Sequence, residues 1–170
     1  MKQLWQQLEN QLSAHNPELL ADLNPPATDA QIRELEQAIG LQLPADFVAC
    51  LKIHDGQRGR ATWLFDGYEF LSSEKILMEW VVWIDLLDDG EFDGRAASVD
   101  AGIKTEWWSK GWVPFSSNGM GDHFCLDLEP AAQGRRGQVI QVFHDMPGRS
   151  LKSPDFAYWF DSFVMNKIGG

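Results

Sequence analysis

The apolar residues of this chain change their spacing near Gly56, and that change limits the folds open to it. Before that point they recur at three- and four-residue intervals, the repeat of a helix with one buried face. Leu4, Trp5, Leu8 and Leu12 mark an amphipathic helix from Met1 to about Ala14, which Asn16-Pro17 ends. Asn24-Pro25-Pro26 is a rigid, extended connector, because proline restricts both itself and the residue before it. Thr28 stands three residues before Gln31, a capping box, and opens a helix with Ile32, Leu35 and Ile39 inward and Gly40 as its stop. Pro44 suits the first turn of a third helix, whose stripe of Phe47, Val48 and Leu51 precedes the terminator His54-Asp55-Gly56.

Beyond Gly56, Trp63–Phe65 and Tyr68–Leu71 read as two short strands joined by a turn at Asp66-Gly67. Ser72 or Ser73 caps a helix running to about Leu87, with Ile76, Trp80, Trp83 and Leu87 on one face and Gly90 at its end. Strands are then expected at Trp112–Phe115, His123–Leu128 and Gln138–His144, with Ser116–Asp122 a loop between the first two. Pro114 cannot donate to a ladder, so its strand lies at an edge or a bulge. Ser153-Pro154 begins a last helix carrying Phe156, Trp159, Phe160 and Phe163 inward. Helices before and after a run of strands make an α+β pattern, and 170 residues suffice for one domain.

Charge narrows the choice of partner. With 25 Asp and Glu against 14 Lys and Arg, the net charge is -11. Binding to nucleic acid or to an anionic membrane depends on Lys and Arg neutralising phosphate, so both are disfavoured, and the charge favours a basic protein as partner or no partner. No apolar run is long enough for a membrane span, and the amphipathic N-terminus is unlike a signal peptide, so the expected location is the cytoplasm. Cys50 and Cys125 sit in apolar surroundings without ligand spacing, as buried free thiols of a reducing compartment do.

Several constellations could carry chemistry. Asp85, Asp88, Asp89, Glu91 and Asp93, with Arg95 the one nearby cation, form the densest charge cluster in the chain. As a calcium loop it would place Asp100 where a bidentate glutamate is needed, so a solvated acidic face or a docking surface for a basic protein is the better reading. Gly119-Met120-Gly121-Asp122 lacks the Lys and the following helix of a phosphate loop and reads as a tight turn. His54, His123 and His144 lie beside acids without metal-ligand spacing, which leaves a His-Asp hydrolase around His123 and His144 as a minor alternative. Neither a metal nor a cofactor is assigned. Trp107 and Trp108 are adjacent, and neighbours on a strand point to opposite faces, so one of them is expected to reach the surface as a contact residue.

Taken in order, Leu43-Pro44-Ala45-Asp46-Phe47, then His54-Asp55-Gly56, then the segment from Trp112 through Pro114, Gly121, Asp122 and Asp127 to Pro130, then Gly137–Asp145, the motifs resemble the SUKH superfamily, Smi/Knr type. The resemblance covers residues 28–165 as the family core, with 1–27 an N-terminal helix and Pro-rich connector. It implies a mixed, mainly antiparallel sheet flanked by helices. It also implies a non-enzymatic role, either a bacterial immunity protein that neutralises a cognate toxin such as a nuclease, or a regulator of the fungal cell-wall-assembly type. On these grounds toxin neutralisation is the first expectation and the regulatory module the alternative. The family has no catalytic residues to carry over, so Gly121, Asp122 and Asp127 are expected to be structural as much as functional.

Overall fold

The computed structural model describes residues 1–169. Six helices, α1 (Lys2–His15), α2 (Pro17–Asp22), α3 (Asp29–Ile39), α4 (Ala45–Leu51), α5 (Ser73–Asp88) and α6 (Phe156–Gly169), surround seven strands. The strands are β1 (Glu69–Phe70), β2 (Ser98–Val99), β3 (Trp112–Pro114), β4 (Ser116–Ser117), β5 (His123–Asp127), β6 (Gln138–Val142) and β7 (Gly148–Ser153). A five-stranded sheet runs β2-β7-β6-β5-β3, and β1 pairs with β4 in a small second sheet. All pairings are antiparallel except β2 with β7. The fold is therefore α+β with a mixed, mainly antiparallel sheet. Among the described residues no helix is long and apolar enough to cross a membrane.

Local chemistry places the helices where the sequence suggests. Thr28 and Gln31 complete their reciprocal capping box, and Gly40 closes α3 with φ 72°. Ser72 caps α5 by accepting from Lys75 N. Asn16 ends α1 and then caps α2, accepting a hydrogen bond from Leu19 N, so a break in one helix is the start of another. Pro114 ends β3, which is indeed an edge of the large sheet.

Two expectations need correction, and one strand lies where none was expected. Trp63–Phe65 is not a strand: Phe65 and Tyr68 exchange backbone hydrogen bonds around Asp66 (φ 50°) and Gly67 (φ 91°), and only Glu69–Phe70 continues as β1. The partner of β1 is Ser116–Ser117, inside the stretch expected to be a loop. Gly148–Ser153 is a six-residue strand, β7, hidden from a pattern reading because its buried members are Arg149 and Ser153 and not apolar residues.

The two halves of the molecule are joined at Asp55-Gly56-Gln57. Asp55 accepts from the backbone N (2.7 Å) and hydroxyl (2.8 Å) of Ser73, so the helix stop of α4 is also an anchor for the first turn of α5. Gly56 O accepts from Asn24 N, tying in the Pro-rich connector. The Gln57 side chain is fully buried, accepts from Leu64 N and Phe70 N, and donates to Asp22 and to Thr62 O. Asp22 in turn receives Gly59 N and Arg60 N. Phe115 leads the aromatic core beside this junction, with ring centroids 4.9 Å from Trp159, 5.3 Å from Phe156 and 5.9 Å from Phe47.

At Gly56, φ is +69° and an added Cβ would lie 2.3 Å from Ser72 N and 2.4 Å from Leu71 C. Gly40 has nearly the same φ, +72°, with nothing within 4 Å of an added Cβ. Gly40→Ala should then cost only the left-handed strain of about 1 kcal/mol, whereas Gly56→Ala should cost about 3 kcal/mol or more because backbone must also move. Urea unfolding of the two variants beside the parent measures the difference; equal losses would mean that the junction yields.

Candidate functional site

Helix α5 turns Ile76, Trp80, Trp83 and Ile84 into the protein, and Trp80 Nε1 donates to Lys110 O at 3.0 Å. Its C-terminal end and the following turns carry Asp85, Asp88, Asp89, Glu91 and Asp93, all of them exposed. Asp88 pairs with Lys110 at 2.9 Å, and the other four have no ion-pair partner among the described residues. Carboxylates at a helix C-terminus face the negative end of the helix dipole, so this acidity does not serve the helix. The calcium-loop geometry is absent, since the Asp100 carboxylate accepts from Leu151 N at 2.8 Å and is turned to the sheet edge.

The structure does not put Trp107 or Trp108 on the surface. They lie in a bend and not on a strand, so alternation of faces does not apply, and they are 9% and 1% exposed. Trp108 stacks on Trp83 with centroids 4.4 Å apart and meets Trp112 edge-on at 5.7 Å. Trp107 is covered by the guanidinium groups of Arg95 and Arg149, 5.2 and 4.9 Å from its ring. Arg149 is itself buried, donates to the carbonyls of Trp107 (2.6 Å), Met146 (2.7 Å) and Gly148 (2.9 Å), and is held down to a pKa of about 10 by desolvation. The exposed apolar residues near the acids are instead Met78, Val81, Val82 and Leu86 on α5. Their i, i+4, i+8 spacing was readable, but it lies on the side of the helix opposite the inward stripe, and spacing alone does not say which side of a doubly apolar helix is covered.

The positions matching the family motifs are built into the frame. Leu43 is buried and donates its N–H to Glu36 Oε1 at 2.8 Å, while Pro44 precedes α4 and approaches Gly137. Asp55 and Gly56 form the junction described above, and Trp112 is wholly buried on β3 beside Pro114. Gly121 has φ 95°, which lets the turn pass the His144 side chain. Asp122 accepts from His144 N (3.0 Å), His144 Nδ1 (2.9 Å) and Asn118 Nδ2 (2.8 Å). Burial pulls the Asp122 pKa up, but these hydrogen bonds outweigh it and hold the carboxyl below its usual range. Asp127, fully buried, accepts from Gln138 Nε2 at 2.8 Å.

These contacts bear on chemistry. Donor atoms of Asp122, His144 and Asp145 gather within 4.8 Å, yet both oxygens of Asp122 already serve the turn. His123 accepts from Trp83 Nε1 (2.9 Å) and donates Nδ1–H to Ser116 O (2.8 Å), so both of its nitrogens hold the interior together. Cys50 and Cys125 are buried free thiols, and burial pushes Cys50 up to about 12 and Cys125 well above its ordinary value, which leaves neither as a thiolate nucleophile.

The sequence pattern of the SMI1 / KNR4 family (SUKH-1) matches residues 26–162. The chain is similar to the cell wall biosynthesis/cell cycle regulator smi1 of Schizosaccharomyces pombe, 28% identical over 90% of this chain and 33% of that protein. It is also similar to the cell wall assembly regulator SMI1 of Saccharomyces cerevisiae, at 21% identity over 98% of this chain and 40% of the relative. A glucan synthesis regulatory protein of Neurospora crassa is 22% identical over 91% of this chain and 36% of its own length. The chain thus spans well under half the length of these relatives.

Two buried groups give the structure a pH signature. Desolvation lowers His123 from 6.5 to about 4, so its stabilising neutral form is favoured above pH 6.5 and that contribution is lost as pH falls toward 4. Desolvation raises Asp127 from 3.8 to about 6, so its contribution is present below pH 3.8 and lost as pH rises through 6. Each amounts to about 3 kcal/mol at 1.36 kcal/mol per pH unit. Relative to the parent, His123→Gln should therefore gain stability as pH drops from 6.5 to 4, and Asp127→Asn should lose it. Urea midpoints across that range will diverge in opposite senses; parallel profiles would place the titration elsewhere.

Proposed function

The chain belongs to the SMI1 / KNR4 family (SUKH-1), and on that premise we propose that it is a regulatory, protein-binding module of the kind found in fungal cell-wall regulators, working in the cytoplasm without catalysis of its own. The observation that carries this reading is the family pattern over residues 26–162, shared with proteins named as regulators of cell-wall assembly and glucan synthesis. Those names favour the regulatory alternative over toxin neutralisation. The interior supports it as well: the histidine and cysteine that could act as base and nucleophile, His123 and Cys50, are committed to packing and hydrogen bonds. The partner is a basic protein, as the net charge of -11 favours, and neither nucleic acid nor membrane.

A domain exchange tests the reading. In S. cerevisiae, the aligned part of the cell wall assembly regulator SMI1 is replaced by this chain, and growth under cell-wall stress is measured together with glucan content. Rescue is expected, and equal rescue by a chimera carrying His144→Ala, because no acid–base step is involved. Failure of a chimera that accumulates normally overturns the regulatory reading, and loss of rescue confined to His144→Ala would revive a hydrolase.

A further inference from the structure

We propose that the outer face of α5 is a docking surface for a basic amphipathic helix of another protein. Met78, Val82 and Leu86 stand four residues apart, with Val81 beside them, on the side of α5 opposite Ile76, Trp80, Trp83 and Ile84. Met78 is 62% exposed and Val82 55%, and four of the ten large apolar side chains exposed among the described residues belong to this one helix. Scattered apolar residues are ordinary on a surface, whereas a contiguous stripe signals a contact. From Met78 to Leu86 the stripe spans about 12 Å at 1.5 Å per residue, which matches the i, i+4, i+7 anchors of a partner helix laid against it.

Charge identifies the occupant. Glu74, Asp85 and Asp89 lie on the same exposed arc, four residues before Met78, four after Val81 and three after Leu86, and none of them has an ion-pair partner among the described residues. The one cation on the arc, Lys75, is engaged by Glu69. A second copy of the chain would set these acids against one another, and an acidic segment would meet the same repulsion. A helix with an apolar stripe bordered by Lys or Arg satisfies both the stripe and its rim, the rim speeding encounter and the stripe supplying burial. This inference rests on the reading of the chain as a binding module and replaces the buried Trp107-Trp108 pair with α5 side chains as the apolar part of the contact.

The test uses the full chain and a synthetic helical peptide with leucines at i, i+4, i+7 and lysines on both flanks. Its controls are the same composition scrambled to abolish the apolar face, and the same pattern with glutamate for lysine. Fluorescence anisotropy is expected to show binding of the first peptide only. A Met78→Ser/Val82→Ser/Leu86→Ser variant, altered at exposed positions and checked for an unchanged melting temperature, should bind at least tenfold more weakly. Asp85→Asn/Asp89→Asn should weaken binding several-fold at low salt, with the difference shrinking at high salt. Equal binding by the serine variant, equal binding of the scrambled peptide, or amide shift changes mapping away from α5 would overturn the proposal. Sedimentation showing dimers that the serine variant dissolves would assign the face to a second copy instead. Because this assay is independent of the yeast exchange, a failed rescue with intact peptide binding rejects the cell-wall role alone, and rescue without peptide binding rejects the α5 surface alone.

Discussion

Everything in this fold depends on a short run of buried polar groups, Asp55 and Gln57 with Asp22, set between the helical N-terminal third and the sheet. Buried carboxylate and amide groups are costly unless satisfied, and here each oxygen or nitrogen has a backbone or side-chain partner. Such groups have a specificity that apolar contacts lack, because a shift of one residue anywhere along the loop would strand several of them. The junction therefore sets where α5 starts, and through α5 it sets which side chains face solvent.

A second polar element stabilises the far side. Arg149 is buried without a carboxylate within ion-pair range among the described residues, and its charge is met by three carbonyl oxygens and by the faces of Trp107 and Trp112. Aromatic faces and carbonyl dipoles are weaker partners than a carboxylate, which fits its lowered pKa of about 10. Four of the eight tryptophans of the sequence serve this arrangement: Trp83, Trp107, Trp108 and Trp112 form the wall on which α5, the bend before β3 and the β7 edge come together.

The helices were legible because their signals are local. Thr28-Gln31, Gly40, Ser72 and the apolar stripes each act within a few residues, and α1, α3, α4 and α5 lie close to where those residues put them. The strands β5 and β6 were legible for the same reason. What was hidden is whatever depends on distant partners: β4 exists because Glu69 and Phe70 lie alongside it, and β7 because Arg149 and Ser153 are accepted into the interior. The site was legible by halves. The exposure of the acids after Asp85 follows from charge, but the fate of Trp107 and Trp108 turned on Arg95 and Arg149, one of them far away in sequence, and no alternation rule carries that information.

The edges of the large sheet have one more implication. At one end β3 packs beneath α5 and finishes in Pro114, which has no N–H to offer; at the other, β2 is only two residues long. At the β3 margin the missing N–H and the cover of α5 withhold backbone groups from an incoming strand, whereas β2 pairs only with Gly148 and Arg149 and leaves Leu151 and Lys152 of β7 exposed beside it. Along the β3 margin a contact is made by side chains and not by backbone, so a change of one surface residue there leaves the hydrogen-bond ladder of the sheet undisturbed.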